Sequence, residues 1–357
     1  MESKVNITQR PASILSPGAI HFFEFYFSIF IIVPSVFGGI FNVINIAVFS
    51  KIGFKDGVML TFLLLAVSDA CQLALALLGC LFVPAAYILT DLQLPVPVDP
   101  SALVYISIWY NHMFCDISVV ITTYLAVQRC CCVAMPLHFK SKFTTKRTAF
   151  VLSSIFVSVS ATYVPIFETQ GLQGAPSKPN ITASPQLVLR LAPNRAVVQG
   201  INDVMNKIFL KTAGQAVVMM CSVVLSVHLI SASKFRLDNK TTPLSKTSGA
   251  PGKRMKLDLQ VIKSVTLVSL IFVFFNVPRL LFTYGRRIEP EFNIYRRYES
   301  LYYAMAQVCN VAECLNAAVN IFVYHNCNRK FAAVLRACLL CNSQGQGRRG
   351  DDAAAET

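Results

Sequence analysis

Seven stretches of this chain are long and apolar enough to cross a bilayer, and that pattern excludes almost every soluble architecture. They run roughly Phe22–Phe49, Val58–Tyr87, Leu103–Val127, Thr148–Phe167, Ile208–Ser231, Leu257–Tyr284 and Ser300–Tyr324. A helix of about 20 apolar residues spans the hydrocarbon core, and lipid offers no partner to an unpaired peptide group, so such stretches become helices. Charge agrees: 14% of residues are charged, against about 25% in a soluble domain. The fold class is therefore an all-α membrane protein, a seven-transmembrane helix bundle. A shorter segment, Phe331–Leu340, cannot span and reads as an amphipathic eighth helix lying on the surface, with Arg329, Lys330 and Arg336 towards the headgroups.

The basic residues set the orientation. Lys51 and Lys55, then Lys140 to Arg147, then Lys234 to Lys256, and finally Arg329 to Arg349 fall in one set of alternating loops. Positive loops stay in the cytoplasm, which puts the N-terminus outside. The sequons Asn6-Ile-Thr and Asn180-Ile-Thr both fall on the outer side and are candidate glycosylation sites. The chain thus divides into an extracellular tail (1–21), a seven-span domain (22–325), the surface helix (326–341) and a disordered cytoplasmic tail (342–357). The net charge of +14 belongs to these loops and points to membrane lipid rather than nucleic acid, for which no motif is present. The 12 cysteines lie mostly inside or just cytoplasmic of the spans and read as free thiols. Cys338 and Cys341 end the surface helix, where palmitate is expected.

Ionisable and amide groups inside the spans are the candidate working parts, because they are costly there. Asp69 sits mid-span in the second helix, with Asn42 in the first, Ser118 in the third, and Asn316 and Asn320 one helical turn apart in the seventh. Two readings stand. They are hydrogen bonds that tie the bundle together, or an oxygen-rich pocket for a sodium ion, the single cofactor-like ligand expected. Asp69 could equally be protonated. Pro278 kinks the sixth span, either as static packing or as a lever. Arg129 ends the third span ahead of "CCCVAMPLHF". It is a snorkelling anchor, or it pairs with Asp258 at the cytoplasmic start of the sixth span and acts as a switch, with Leu137 the bulky apolar residue of the adjoining loop.

Motif by motif, these stretches resemble the rhodopsin-like (class A) G-protein-coupled receptors, from about Phe22 to Cys341. "GGIFNVINI" is similar to the family's first helix, "LAVSD" to its second, "QRC" followed by "MPL" to its Asp/Glu-Arg-Tyr region, and "FVFFNVP" to the kinked sixth helix. "NIFVY" stands where Asn-Pro-x-x-Tyr is expected, which gives Asn320 and Tyr324 switch roles. "GFKD", "QRC", "IEPEF" and "VNIFVY" look more narrowly like invertebrate, molluscan-type chemosensory, orphan or peptide receptors. The chain departs from the family at Gln128 beside the arginine, at Asn276 in place of the tryptophan switch, and at Ile321 in place of a proline. It has no cysteine near Val104 or between Glu168 and Lys207, so the usual outer disulfide is missing. The outer loop, rich in proline, is expected to be untethered, partly disordered or a lid.

The resemblance implies a plasma-membrane receptor, not an enzyme. It would bind an extracellular peptide or small molecule and activate a heterotrimeric G protein by outward movement of the sixth helix, with arrestin and receptor kinase as further partners. It also implies an outer ligand cavity among the third, fifth, sixth and seventh helices, with Asn111, His112, Asp116, Asn276, Arg279 and Glu313 as its polar residues. Amine receptors of this class carry an aspartate where Asn111 stands, which disfavours an amine. Arg279 could clamp an acidic ligand, or it is held internally by Glu313 or Asp116. A seven-helix transporter or channel is the alternative, but no internal repeat is present and Pro278 is the one clear mid-span break.

Overall fold

The computed structural model describes residues 17–54, 56–92, 97–135, 139, 141–174, 187–240, 250–293 and 296–338; side chains are described from residue 29 in the first helix and from residue 267 in the sixth span, and up to residue 231 in the fifth. Helices α1 (Pro17–Ile52), α2 (Gly57–Asp91), α3 (Pro100–Ala134) and α4 (Thr145–Glu168) form the first four spans. The fifth is built of three continuous pieces: α5 (Arg195–Asn202), a π-helical stretch (Asp203–Leu210) and α6 (Lys211–Lys240). The sixth is α7 (Ala250–Ile288), and the seventh is α8 (Glu299–Ala318) followed by α9 (Asn320–Cys327).

Six of the described helical spans are long and apolar enough to cross a membrane. The remaining one, α7, is 39 residues long, and its first half lies beyond the described side chains. The chain is a helical membrane bundle. Pro34, Pro84 and Pro165 also lie inside helices, so Pro278 is one of four proline positions rather than a lone break.

Packing is close where the first and seventh spans touch. A Cβ on Gly38 would stand 2.6 Å from the Cβ of Ala318, so only glycine permits this approach. The contact lets Asn42 Nδ2 donate to the Ala317 carbonyl at 2.9 Å as well as to Gly38 O at 3.0 Å. At the cytoplasmic end Phe49, Phe62, Tyr324 and Phe331 form one ring cluster, with centroids 4.8–5.7 Å apart. Phe331 is fully buried and pins the helical residues 329–338 beneath the bundle, while Arg329, Lys330 and Arg336 are exposed. Cys338 ends this helix, 3.3 Å from Lys51 Nζ; Cys341 lies outside the described residues, as do Asn6, Asn180 and Leu137. The ten cysteines whose side chains are described, all but Cys327 and Cys341, are free.

Two expectations are corrected. The fifth span starts at Arg195, not near Ile208. Its "INDVMNK" stretch is amphipathic: Asn202, Asp203 and Asn206 are buried in the bundle, while Ile201, Val204, Met205 and Phe209 face outwards. The inward polar face depresses the hydropathy that locates a span. The outer loop, in turn, is tethered without a disulfide. Strands β1 (Gln170–Gly174) and β2 (Leu187–Leu191) pair antiparallel. Leu187 exchanges backbone hydrogen bonds with Pro97 and Asp99 at 2.9 and 2.8 Å, joining the hairpin to the top of α3.

Candidate functional site

Four charged side chains meet in the outer half of the bundle, each from a different span. Asp116 comes from α3, Lys211 from the start of α6, Arg279 from α7 one residue after Pro278, and Glu313 from α8. None is more than 7% exposed. Arg279 holds Glu313 through both prongs, Nε to Oε1 at 2.9 Å and NH2 to Oε2 at 2.7 Å, and also donates to Asn310 Oδ1 at 2.7 Å. Lys211 Nζ donates to Glu313 Oε1 at 2.8 Å and lies 3.5 Å from Asp116 Oδ1. The other Asp116 oxygen accepts the Tyr163 hydroxyl at 2.5 Å. Two acids and two bases cancel, and that balance is what makes the cluster tolerable. Burying an ion costs several kcal/mol, recovered only when partners and hydrogen bonds are both in place.

Of the two internal pairs open to Arg279, the structure makes the one with Glu313. Asp116 goes instead to Lys211 and Tyr163, neither of which stood out in the sequence. Lys211 lay inside an apolar run with no motif around it. Its position four residues after Lys207 and eight after Asp203, on the face that buries Asn202, was the signal available once the helix is extended to Arg195.

Above the network lies a cavity of about 740 Å³, mouth included, lined by Ile31, Gln72, Cys80, Ser107, Asn111 and Glu313 among others. It sits between the first, second, third and seventh spans, not among the third, fifth, sixth and seventh. The ionic network draws those latter spans together and fills the space the resemblance assigned to ligand. Asn111, His112 and Glu313 line the cavity, whereas Asp116, Asn276 and Arg279 do not. Asn111 Nδ2 donates to Gln72 O at 2.7 Å. Asn276 is buried and donates back to Phe272 O in its own helix at 2.8 Å.

Midway down the bundle, Asp69 is 1% exposed. Its two oxygens accept from Ser118 Oγ at 2.7 Å and from Asn320 Nδ2 at 2.8 Å. No basic side chain pairs with it among the described residues. Asn42 stands apart, donating to backbone and accepting from Asn45 Nδ2 at 3.3 Å, and Asn316 is only half-buried. The helix is interrupted at Val319, between Asn316 and Asn320, which breaks the regular turn the spacing implied.

At the cytoplasmic end, Arg129 lies over the Phe62 ring, 5.5 Å from its centroid. Its buried Nε lacks a hydrogen-bond partner among the described residues, and so does the buried Tyr324 hydroxyl. Gln128 turns away to accept from Thr61 Oγ1 at 3.0 Å and to approach Thr148 Oγ1 at 3.5 Å, tying the third span to the second and fourth. Asp258 lies in α7 where side chains are not described. Asp56, on the first inner loop, is an acid within electrostatic reach of Arg129.

A second basic group, Arg195, locks the outer rim. It donates to Ile166 O at 2.5 Å, Thr169 Oγ1 at 2.8 Å and Gln170 Oε1 at 3.1 Å. Its guanidinium also covers the Trp109 ring at 4.6 Å, so one side chain joins the third, fourth and fifth spans to the hairpin.

A family model described as the serpentine type 7TM GPCR chemoreceptor Srx matches residues 30–171, from the first span into the outer hairpin and under half of the chain. No curated protein matches the chain. The matched part contains Asp69, Ser118 and Arg129; Lys211, Arg279, Glu313 and Asn320 lie beyond it. The chain is a multi-pass plasma-membrane protein, similar over its first four spans to G-protein-coupled chemoreceptors, a family of receptors and not of enzymes.

Proposed function

We propose that this chain is a chemosensory G-protein-coupled receptor that takes ligand into the outer cavity and activates a heterotrimeric G protein by outward movement of the sixth span. The observation that carries it is the neutral network of Asp116, Lys211, Arg279 and Glu313. It cross-links four spans, has Glu313 in the cavity wall, and attaches the sixth span one residue beyond its kink. A ligand that hydrogen-bonds Glu313 or Asn310 competes with Arg279. Loosening Arg279 frees the segment beside Pro278, and a bend there moves the distant cytoplasmic end furthest.

Because Arg279 is already held by a carboxylate, an acidic ligand enters only by exchange, its own carboxylate replacing Glu313. A small molecule or peptide end that donates to Glu313 needs no such exchange. At the cytoplasmic end Arg129 pairs with Asp258 at rest and turns to the G protein on opening. The rhodopsin-like reading of these switch positions rests on the order of the motifs, and the molluscan-type resemblance on the short stretches quoted above. Asp69, a buried carboxylate with two hydrogen-bond donors and no basic partner among the described residues, fits a sodium ion that favours the closed bundle.

The test is a ligand screen in cells carrying a promiscuous G protein. The expected result is a G-protein signal for at least one ligand, lost in Arg129→Ala while that ligand still binds. Ligand-dependent flux across the membrane, with no G-protein signal, would make the chain a transporter or channel.

A further inference from the structure

A second cleft, of about 590 Å³ with its mouth included, opens between the outer end of α4 and the start of the fifth span. Its walls are Pro165, Val198, Ile201 and Met205. Ile201 and Met205 are 60% and 52% exposed, and they belong to the outward face of a spanning helix, so the cleft opens sideways to lipid rather than upwards to water. At its polar edge Asn206 Nδ2 donates to Thr162 Oγ1 at 3.0 Å, while the Thr162 hydroxyl donates to Val159 O at 2.7 Å and stands 3.3 Å from Asn206 Oδ1. Asn202 differs. It is 4% exposed, its Nδ2 donates to Thr162 O at 3.1 Å, and its Oδ1 has no donor among the described residues.

A buried acceptor without a donor is costly, more so where no water reaches it. Acyl chains carry no donor, and a choline headgroup carries none either. The geometry points to a membrane-accessed binding site at Asn202 for an apolar lipid bearing a free hydroxyl, its body along Pro165, Val198, Ile201 and Met205 and its hydroxyl donating to Asn202 Oδ1. The depth fits: Pro165 is one turn from the outer end of α4, near the level where a lipid hydroxyl meets the interface. The site also borders the signalling network. The π-helical stretch begins directly after Asn202 and ends directly before Lys211, and π segments are frequent at functional sites. An occupant that fixes Asn202 therefore sets where Lys211 begins.

The full chain in phosphatidylcholine vesicles, carrying a diazirine-bearing sterol or a diazirine-bearing long-chain alcohol, tests this. Photolabelling of the 198–206 segment is expected from one or both probes, the two arms separating a ring body from a linear one. The hydroxyl form of a labelling probe should be taken up about three- to tenfold more than its methyl ether, the range for one net hydrogen bond. In Asn202→Leu that preference should vanish, and Met205→Trp, filling the cleft from its exposed side, should abolish labelling at matched yield and monodispersity. Equal labelling by the hydroxyl and ether forms in the wild type overturns the proposal, as does labelling by neither probe or labelling that survives Met205→Trp.

Discussion

Replacing Lys211 with methionine removes one of the two positive charges from the buried network while keeping most of its volume. Glu313 retains the two-pronged Arg279 at 2.9 and 2.7 Å, but among the described residues Asp116 is left with the Tyr163 hydroxyl alone, and the cluster carries one uncompensated negative charge. Breaking a buried ionic arrangement by deleting one partner costs about 3–5 kcal/mol. At roughly 2 °C per kcal/mol for a large domain, that is a fall of about 6–10 °C in Tm. The double variant Lys211→Met/Asp116→Asn restores neutrality, and the asparagine still accepts from Tyr163. It should recover to within about 3 °C of the wild type, the signature of coupled sites. Thermal unfolding of the four forms in one detergent measures this. If the double variant falls as far as the sum of the singles, the two residues are not partners and the reasoning about charge balance is wrong.

Other consequences follow from the same contacts. Arg195 replaces a disulfide with three hydrogen bonds and a ring contact, so dithiothreitol should leave Tm unchanged while Arg195→Ala lowers it by several degrees; a reductant-sensitive Tm would contradict this. Sodium in place of a large inert cation should lower basal signalling in the wild type and have no effect in Asp69→Asn. Asp258→Ala should raise basal signalling about tenfold or more, from a charge-assisted bond of about 1.5–3 kcal/mol, whereas Arg129→Ala should lose coupling with ligand binding intact. Unchanged signalling in both variants would leave Arg129 an interfacial anchor.

The spans were legible because hydropathy measures what lipid selects, and α1 to α4 fall close to the stretches read from composition. The start of the fifth span was not, because Asn202, Asp203 and Asn206 turn inward and lower the local hydropathy although the helix is unbroken. Single-residue chemistry was legible in part. Asp69, Ser118 and Asn320 were singled out as costly groups and come together, and Arg279 was singled out with its eventual partner Glu313. Lys211 and Tyr163 were invisible, since a lone lysine or tyrosine in an apolar run carries no periodic or motif signal and acquires a partner only through tertiary packing. The position of the cavity came from resemblance rather than from residues, and the ionic network displaced it. The tether of the outer loop was unreadable for a related reason: the Leu187 bridge to Pro97 and Asp99 is made by backbone, which leaves no trace in side-chain identity.

Basal G-protein signalling of Glu313→Gln, at surface expression matched to wild type in cells with a promiscuous G protein, tests the central claim that the buried network restrains the sixth span. Among the described residues Glu313 is the one bonded to both Lys211 and Arg279, so its neutralisation releases the restraint from two sides. The loss of a charge-assisted hydrogen bond, about 1.5–3 kcal/mol, predicts a rise of about tenfold or more, abolished when Arg129→Ala is added. Basal signalling equal to wild type, from a receptor that is folded and at the surface, would show that the network does not hold the switch closed.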